Sequence, residues 1–217
     1  MTTEVSQKPL WRRLILPLGG GALAGFIGAS AFFTLVEIDG EGGLGASREI
    51  AGLIGVIYVL TGLMVLVGAL NPAVGAKFLN VEDADELREQ RNMLWLSGVA
   101  MALLGAALIV LAIAGAGAFI PAQVGAIAAV ALIAVASVLS VRSRRYTDEL
   151  QRALSSDATT TAFYLLFFIG GGWAMFAHLD MVADPAPLDW LSLFAGALLV
   201  AAFWQTGKRG LLMRGPN

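Results

Sequence analysis

The stretch that decides the fold is residues 50–70, IAGLIGVIYVLTGLMVLVGAL, which contains no charged side chain. Arg48 and Glu49 precede it, and Asn71–Pro72 follows it. A run of about 20 apolar residues is the length that an α-helix needs to cross a hydrocarbon core of about 30 Å. Because lipid offers no hydrogen-bond partner to backbone N–H and C=O groups, such a segment has to be helical. Residues 50–70 therefore predict a transmembrane helix.

The same pattern recurs along the chain. Of the 217 residues, 58% are hydrophobic and only 14% are charged, and the mean hydropathy is +0.77, which is too apolar for a soluble domain. The apolar runs that we predict as spans are 14–36, 50–70, 93–118, 119–141, 160–179 and 188–205. The sequence thus predicts an all-α polytopic membrane protein: a single domain over residues 1–217 whose six helices form a bundle in the lipid bilayer.

The basic residues are concentrated in every second polar segment between these runs. Of the 14 Lys and Arg residues, only Arg48 lies in a segment that the alternation places outside the cell. Since Lys and Arg are retained on the cytoplasmic side, both termini are predicted to be cytoplasmic. The outer segments are acidic and the inner ones carry both signs, which argues against a nucleic-acid partner. Short loops and abundant Ala, Gly, Val and Leu favour a bacterial inner (cytoplasmic) membrane.

The first apolar run needs to be compared with a signal peptide. Basic residues precede it, and Ala29–Ser30–Ala31 resembles a cleavage site. The apolar run nevertheless continues as far as Val36. We therefore expect a retained span.

Glycine is the residue type most suited to helix packing in this chain. Gly21 and Gly25 have the G-x-x-x-G spacing that lets helix backbones approach closely, and Gly28 extends the same run. A triplet, Gly170–Gly171–Gly172, lies in the fifth span. We interpret all six as packing positions, with a neighbouring helix, plausibly the first span, crossing at the triplet. The alternative is a broken helix whose freed backbone groups line a ligand site.

A candidate cation site lies at the outer ends of two spans. Glu37 and Asp39 follow the first span, and His178 and Asp180 end the fifth. Imidazole and carboxylates together form a mixed ligand set for divalent metals. The more conservative interpretation gives His178 a structural role, because a histidine is electrostatically favoured at a helix C-terminus without any ligand.

Several chemistries are excluded by residue content. The chain has no cysteine and one histidine, so disulfides, thiolate metal sites and cysteine nucleophiles are ruled out. No serine has a histidine base at membrane depth, and no carboxylate pair is predicted within the bilayer. We therefore expect no enzymatic activity and no cofactor.

A short repeat links two of the predicted cytoplasmic loops. Asp85–Glu86–Leu87 and Asp148–Glu149–Leu150 each follow a span that runs inward. The repeat indicates either a duplicated helical hairpin or two ordinary helix starts, and the second interpretation is favoured because a shared tripeptide is weak evidence.

Two functions remain open. The first is an interaction, assembly or membrane-organising protein that packs against a membrane-protein partner or forms a homo-oligomer. The alternative is a transporter or channel for an ion or small solute, with its site near the glycine triplet and polar groups from Tyr58, Thr61, Gln123 and Tyr164. A polar cavity at mid-membrane would favour transport, whereas a dry bundle with an exposed apolar groove would favour interaction.

Overall fold

The architecture comes from a computed structural model that describes residues 10–37, 44–71, 90–115 and 118–210. In the first helix it describes the side chains of residues 19–34 and of Val36. These parts of the chain form six long helices, a short 3₁₀ helix at Arg144–Tyr146 and no β-strand. The helices are α1 (Leu10–Glu37), α2 (Ala46–Leu70), α3 (Arg91–Ile113), α4 (Ala122–Ser143), α5 (Glu149–His178) and α6 (Pro187–Lys208).

Five of these helices, α2 to α6, are long and apolar enough to cross a membrane. The part of α1 whose side chains are described, Gly19–Thr34, is apolar but shorter. The all-α fold is therefore confirmed, and the helices are those expected of a helical membrane bundle.

Two predicted boundaries differ from the structure by more than four residues. α3 ends at Ile113, before the predicted 118, because Gly115 N–H donates to Ile120 O at 3.0 Å and closes a tight turn. α5 begins at Glu149, well before the predicted 160. Its polar start is held by a capping box in which Asp148 accepts a hydrogen bond from Gln151 N–H at 2.7 Å. Asp148–Leu150 is thus a helix start, while Asp85–Leu87 lies outside the described residues.

The closest contact between helices is that of α2 with α3. A Cβ atom added to Gly55 would lie 2.7 Å from Gly105 O, and one added to Gly62 would lie 2.6 Å from Gly98 O. Both helices place these glycines seven residues apart, and the pairs match in antiparallel order. Because neither glycine of a pair has a side chain, the backbones of α2 and α3 come into direct contact at these positions.

α1 and α4 pack on either side of this pair. Phe32 of α1 lies against Gly52 of α2, and Val56 of α2 lies against Gly28 of α1, so each helix inserts a side chain into a glycine gap of the other. On the far side, α4 packs on α3. Alanines spaced by seven residues are buried on both of these helices: Ala100, Ala107, Ala129 and Ala136.

α5 and α6 form a second pair, held together near the end where α6 finishes. Gln205 donates from Nε2 to Thr161 Oγ1 at 2.7 Å, and Arg209 forms an ion pair with Asp157. The pair contacts the rest of the molecule mainly through α6, where the buried Tyr58 of α2 donates its hydroxyl to Ala195 O at 2.9 Å. A second link joins α5 to the start of α3, where Gln151 Nε2 donates to Gln90 Oε1 at 3.3 Å. α2 thus packs against α1, α3 and α6.

Candidate binding groove beside the glycine triplet

The predicted packing glycines of α1 have different surroundings. A Cβ atom on Gly28 would lie 2.7 Å from Val56 Cγ1, so Gly28 lies at the contact with α2. A Cβ atom on Gly21 or Gly25 would meet nothing within 4 Å. These two glycines lie at no helix contact within the described part of the chain, because α1 meets α2 only further along, from Gly28 onward.

The three glycines of the triplet also differ in their surroundings. Gly170 is buried, and a Cβ atom there would lie 2.8 Å from the Trp190 ring of α6. A Cβ atom on Gly171 or Gly172 would meet nothing within 4 Å. Within the described part of the chain, α6 therefore meets the triplet only at Gly170 and no helix crosses at Gly171, so the packing role of Gly171 and Gly172 stays a prediction.

The triplet follows a local change in helix type. Leu166–Gly170 forms one π-helical turn, and Gly171 N–H reaches back to Leu166 O. A π-turn holds one more residue than an α-turn, which widens the helix and redirects side chains, and such turns are frequent at functional sites. Here it directs Leu166 and Ile169 toward α2 and α6.

An open groove of about 360 Å³ lies between α2, α5 and α6 at this turn. Ile50 and Ile54 of α2 form one wall, and Leu165, Leu166 and Ile169 of α5 form the other. α6 forms the floor, where small residues alternate with larger ones. A Cβ atom added to Gly196 would lie in van der Waals contact with α2, at 3.6 Å from Ile54 Cδ1. The groove is almost wholly apolar.

The polar groups that line the groove are each engaged. Trp173 donates its indole N–H to Ala183 O at 2.9 Å, which ties the α5–α6 connection to α5. Asp189 accepts from Ala186 N–H at 2.7 Å as part of a helix cap, and Ser192 donates to Leu188 O at 3.0 Å. The groove therefore presents a hydrophobic surface, with one carboxylate near the start of α6.

The polar side chains considered for transport do not converge. Tyr58 is buried at the α2–α6 contact, and Thr61 donates to Ile57 O of its own helix at 2.7 Å. Gln123 and Tyr164 are exposed on α4 and α5, and Tyr164 stacks on Phe168. Among the described residues, these groups form no common cavity.

The candidate cation site is described only in part. His178 and Asp180 are exposed at the end of α5. The side chain of Glu37 and the whole of Asp39 lie outside the described residues. Among the residues that are described, no group of three His, Asp or Glu side chains is arranged to hold a metal ion.

Neither the α2–α3 contact nor the groove was predicted from the sequence. Gly55 and Gly62, like Gly98 and Gly105, are spaced by seven residues, and this shared spacing was the available signal for the contact. The π-turn that shapes the groove has no comparable signal in the sequence, because the residues Leu166–Gly170 are those of an ordinary apolar helix.

Comparison of the chain with protein-family models, with curated proteins and with solved structures gave no match. The function of the chain is therefore inferred from its own geometry.

Proposed function

We propose that this chain is a non-enzymatic integral membrane protein that binds a transmembrane helix of a partner protein and acts in the assembly or organisation of membrane complexes. The observation that supports this proposal is the open apolar groove between α2, α5 and α6. It lies in three helices of membrane-spanning length, at the one turn where α5 departs from α-helical geometry.

The shape of the groove suits a helix as its occupant. Small residues such as Gly196 and Ala197 on its floor allow a backbone to approach closely, and the isoleucine and leucine walls offer dispersion contacts along its length. In lipid, packing of this kind drives helix association, because burial of apolar surface gains nothing over contact with acyl chains. An apolar groove with its polar groups already engaged is poorly suited to a hydrated ion.

The proposal includes six spans with both termini in the cytoplasm of a bacterial cell. Its support is the alternation of basic residues, together with a reason for the exception. Arg48, at the start of α2, donates a hydrogen bond to Ala114 O just beyond the last residue of α3. A cation at a helix C-terminus complements the helix dipole, so Arg48 serves the fold and does not count against the orientation.

The runner-up is a transporter that uses the π-turn as a hinge. The observation that favours it is the π-turn itself, which precedes Gly171 and Gly172 in open surroundings. Counterflow measurements in proteoliposomes with a panel of small solutes would distinguish this function, since a helix-binding protein transports none of them.

A groove-filling substitution tests the proposal directly. Ala197→Phe places a ring in the groove, while Val130→Phe adds a ring of similar size to α4 at a side chain that is 68% exposed. Both variants should retain the elution profile of the wild type in mild detergent. We expect the Ala197 variant to lose a stoichiometric membrane-protein partner during co-purification from native membranes, and the Val130 variant to keep it. Equal recovery of partner with both variants would contradict the proposal.

A further inference from the structure

A second cavity lies at the opposite end of α5 from the α5–α6 connection, where α4 passes into α5. It is an open cleft of about 550 Å³ between the end of α4 and the first turns of α5, and polar residues line it. Its lining contains two arginines, five hydroxyls and one amide: Arg144, Thr147, Gln151, Arg152, Ser155, Ser156, Thr159 and Thr160. None of the described residues that line it is a carboxylate.

Its two cations are unpaired among the described residues. Neither Arg144 nor Arg152 forms an ion pair there, whereas Arg209 is engaged by Asp157. The neighbouring Asp148 is used as the cap of α5, and Glu149 lies in the first turn of that helix without lining the cleft. The cleft therefore presents two guanidinium groups that form no ion pair with a carboxylate of the described residues.

Three hydroxyls of the cleft are also without partners in the described structure. Thr147 and Thr159 donate to carbonyls of their own chain segment, each at 2.8 Å. Ser155, Ser156 and Thr160 show no hydrogen bond of this kind, although a helical serine or threonine often bonds to the carbonyl four residues before it. The cleft thus offers hydroxyl donors beside its cations.

The position of the cleft is at the end of the membrane-spanning region. The apolar run of α4 ends at Val141, and Val138 and Val141 are exposed just before Arg144. On α5, the polar turns that line the cleft lead into the exposed aromatic residues that begin at Phe163. A ligand in the cleft would therefore have its polar part against the arginines and apolar surface directly below it.

We propose that this cleft binds the phosphate of an anionic phospholipid, with the acyl chains lying along α4 and α5. Guanidinium groups recognise phosphate oxygens through paired N–H donors, and hydroxyls add further donors to the same group. Basic pockets on the cytoplasmic side of membrane helices bind anionic headgroups in this way. Two guanidinium groups without an ion pair favour a headgroup with net negative charge over a zwitterionic one.

The test is lipid binding by the full-length chain in detergent, measured by native mass spectrometry. The probes are dioleoyl-phosphatidylglycerol, dioleoyl-phosphatidylcholine and inorganic phosphate, each titrated separately. The site variant is Arg144→Gln with Arg152→Gln. Its matched control is Arg142→Gln with Arg145→Gln, which removes the same charge from the same segment at residues that do not line the cleft. A second site variant, Ser156→Ala with Thr160→Val, keeps the charge and removes two hydroxyls.

The wild type should bind phosphatidylglycerol more tightly than phosphatidylcholine. The arginine variant should lose about tenfold or more in affinity for phosphatidylglycerol, because one charge-assisted hydrogen bond corresponds to at least about tenfold. The hydroxyl variant should lose less, and the control should bind like the wild type. Equal loss in the arginine variant and its control would show a general charge effect and overturn the proposal. Inorganic phosphate binding as tightly as the lipid would overturn it as well, in favour of a site for free phosphate.

Discussion

Gly105 and Gly171 both lie in apolar helices, but a methyl group would have opposite consequences at the two positions. A Cβ atom on Gly105 would lie 2.5 Å from Gly55 O and 2.7 Å from Val59 N, both backbone atoms that cannot move without separating α2 from α3. A Cβ atom on Gly171 would meet nothing within 4 Å. The two glycines therefore form a matched pair for mutation.

We predict that Gly105→Ala destabilises the bundle and that Gly171→Ala does not. Overpacking at a tight contact typically costs about 1–3 kcal/mol, whereas alanine in open helix is favoured over glycine by up to about 1 kcal/mol. Thermal unfolding in detergent, followed by size-exclusion chromatography after heating, measures both. Equal melting temperatures for the two variants would show that α2 and α3 do not meet at Gly105.

Tyr58 lies at the contact between α2 and α6, and its ring should contribute more to stability than its hydroxyl. Hydrogen bonds between membrane helices contribute about 0.6 kcal/mol on average, so Tyr58→Phe should lower stability only slightly. Tyr58→Ala empties a buried ring site and should cost several-fold more, about 3–5 kcal/mol by analogy with other aromatic truncations. Denaturant unfolding of both variants checks the order. A larger loss for phenylalanine than for alanine would contradict the packing described for α2 and α6.

At the residue scale, the sequence predicted which residue type packs helices but not which glycines do so. Spacing alone made Gly21 and Gly25 as suitable as Gly28, and only the structure shows that α2 reaches the last of the three. The face of a helix that meets a neighbour depends on where that neighbour lies, and a single sequence does not contain this information.

At the scale of single helices, the π-turn Leu166–Gly170 holds one residue more than an α-helical turn. We expect that one residue can be deleted from it without loss of the fold. Phe168 is exposed within it, and deleting this residue lets the turn revert to α-helix without rotating the helix on either side. Deleting Val130 from α4 instead turns the following residues by about 100°, which moves Ala136 away from the face it shares with Ala129. We expect the Phe168 deletion to melt near the wild type but to lose its partner, and the Val130 deletion to melt several degrees lower. A Phe168 deletion that melts as low as the Val130 deletion would show that the turn is required for folding.

Helix existence was predictable from hydropathy, whereas helix ends and helix type were not. The start of α5 is polar and amphipathic, so the hydropathy run begins only after its capped first turns. The end of α3 is set by backbone hydrogen bonds across Gly115 and Ile120, within a segment that is apolar throughout. Both differences arise because hydropathy measures compatibility with lipid and does not report where the backbone turns.

For the whole molecule, the orientation proposed from the basic residues makes a direct prediction. Reporter fusions should place Val81 and Tyr146 on the cytoplasmic side and Gly42 and Pro185 on the outer side, because Lys and Arg are retained inside. Paired reporters that are active on opposite sides of the membrane provide the internal control. A reversed result at any one site would mean that the number of spans is not six.

The class of membrane protein and the all-α fold were predictable from the sequence, whereas the groove between α2, α5 and α6 was not. Composition and hydropathy were sufficient for an all-α chain of membrane-spanning helices. The groove depends on how α5 and α6 meet α2, and on the π-turn, which are contacts between residues distant in sequence.

The measurement that tests the central claim most directly is site-specific photocrosslinking in native membranes. A benzophenone amino acid replaces Ile169, which is 55% exposed and lines the groove, or Val130, which is 68% exposed on α4. We predict a discrete protein adduct from position 169 and none from position 130, and the mass of that adduct will show whether the partner is another protein or a second copy of this chain. Protein adducts of equal yield from both positions, or none from position 169, would contradict the proposal that the groove binds a partner helix.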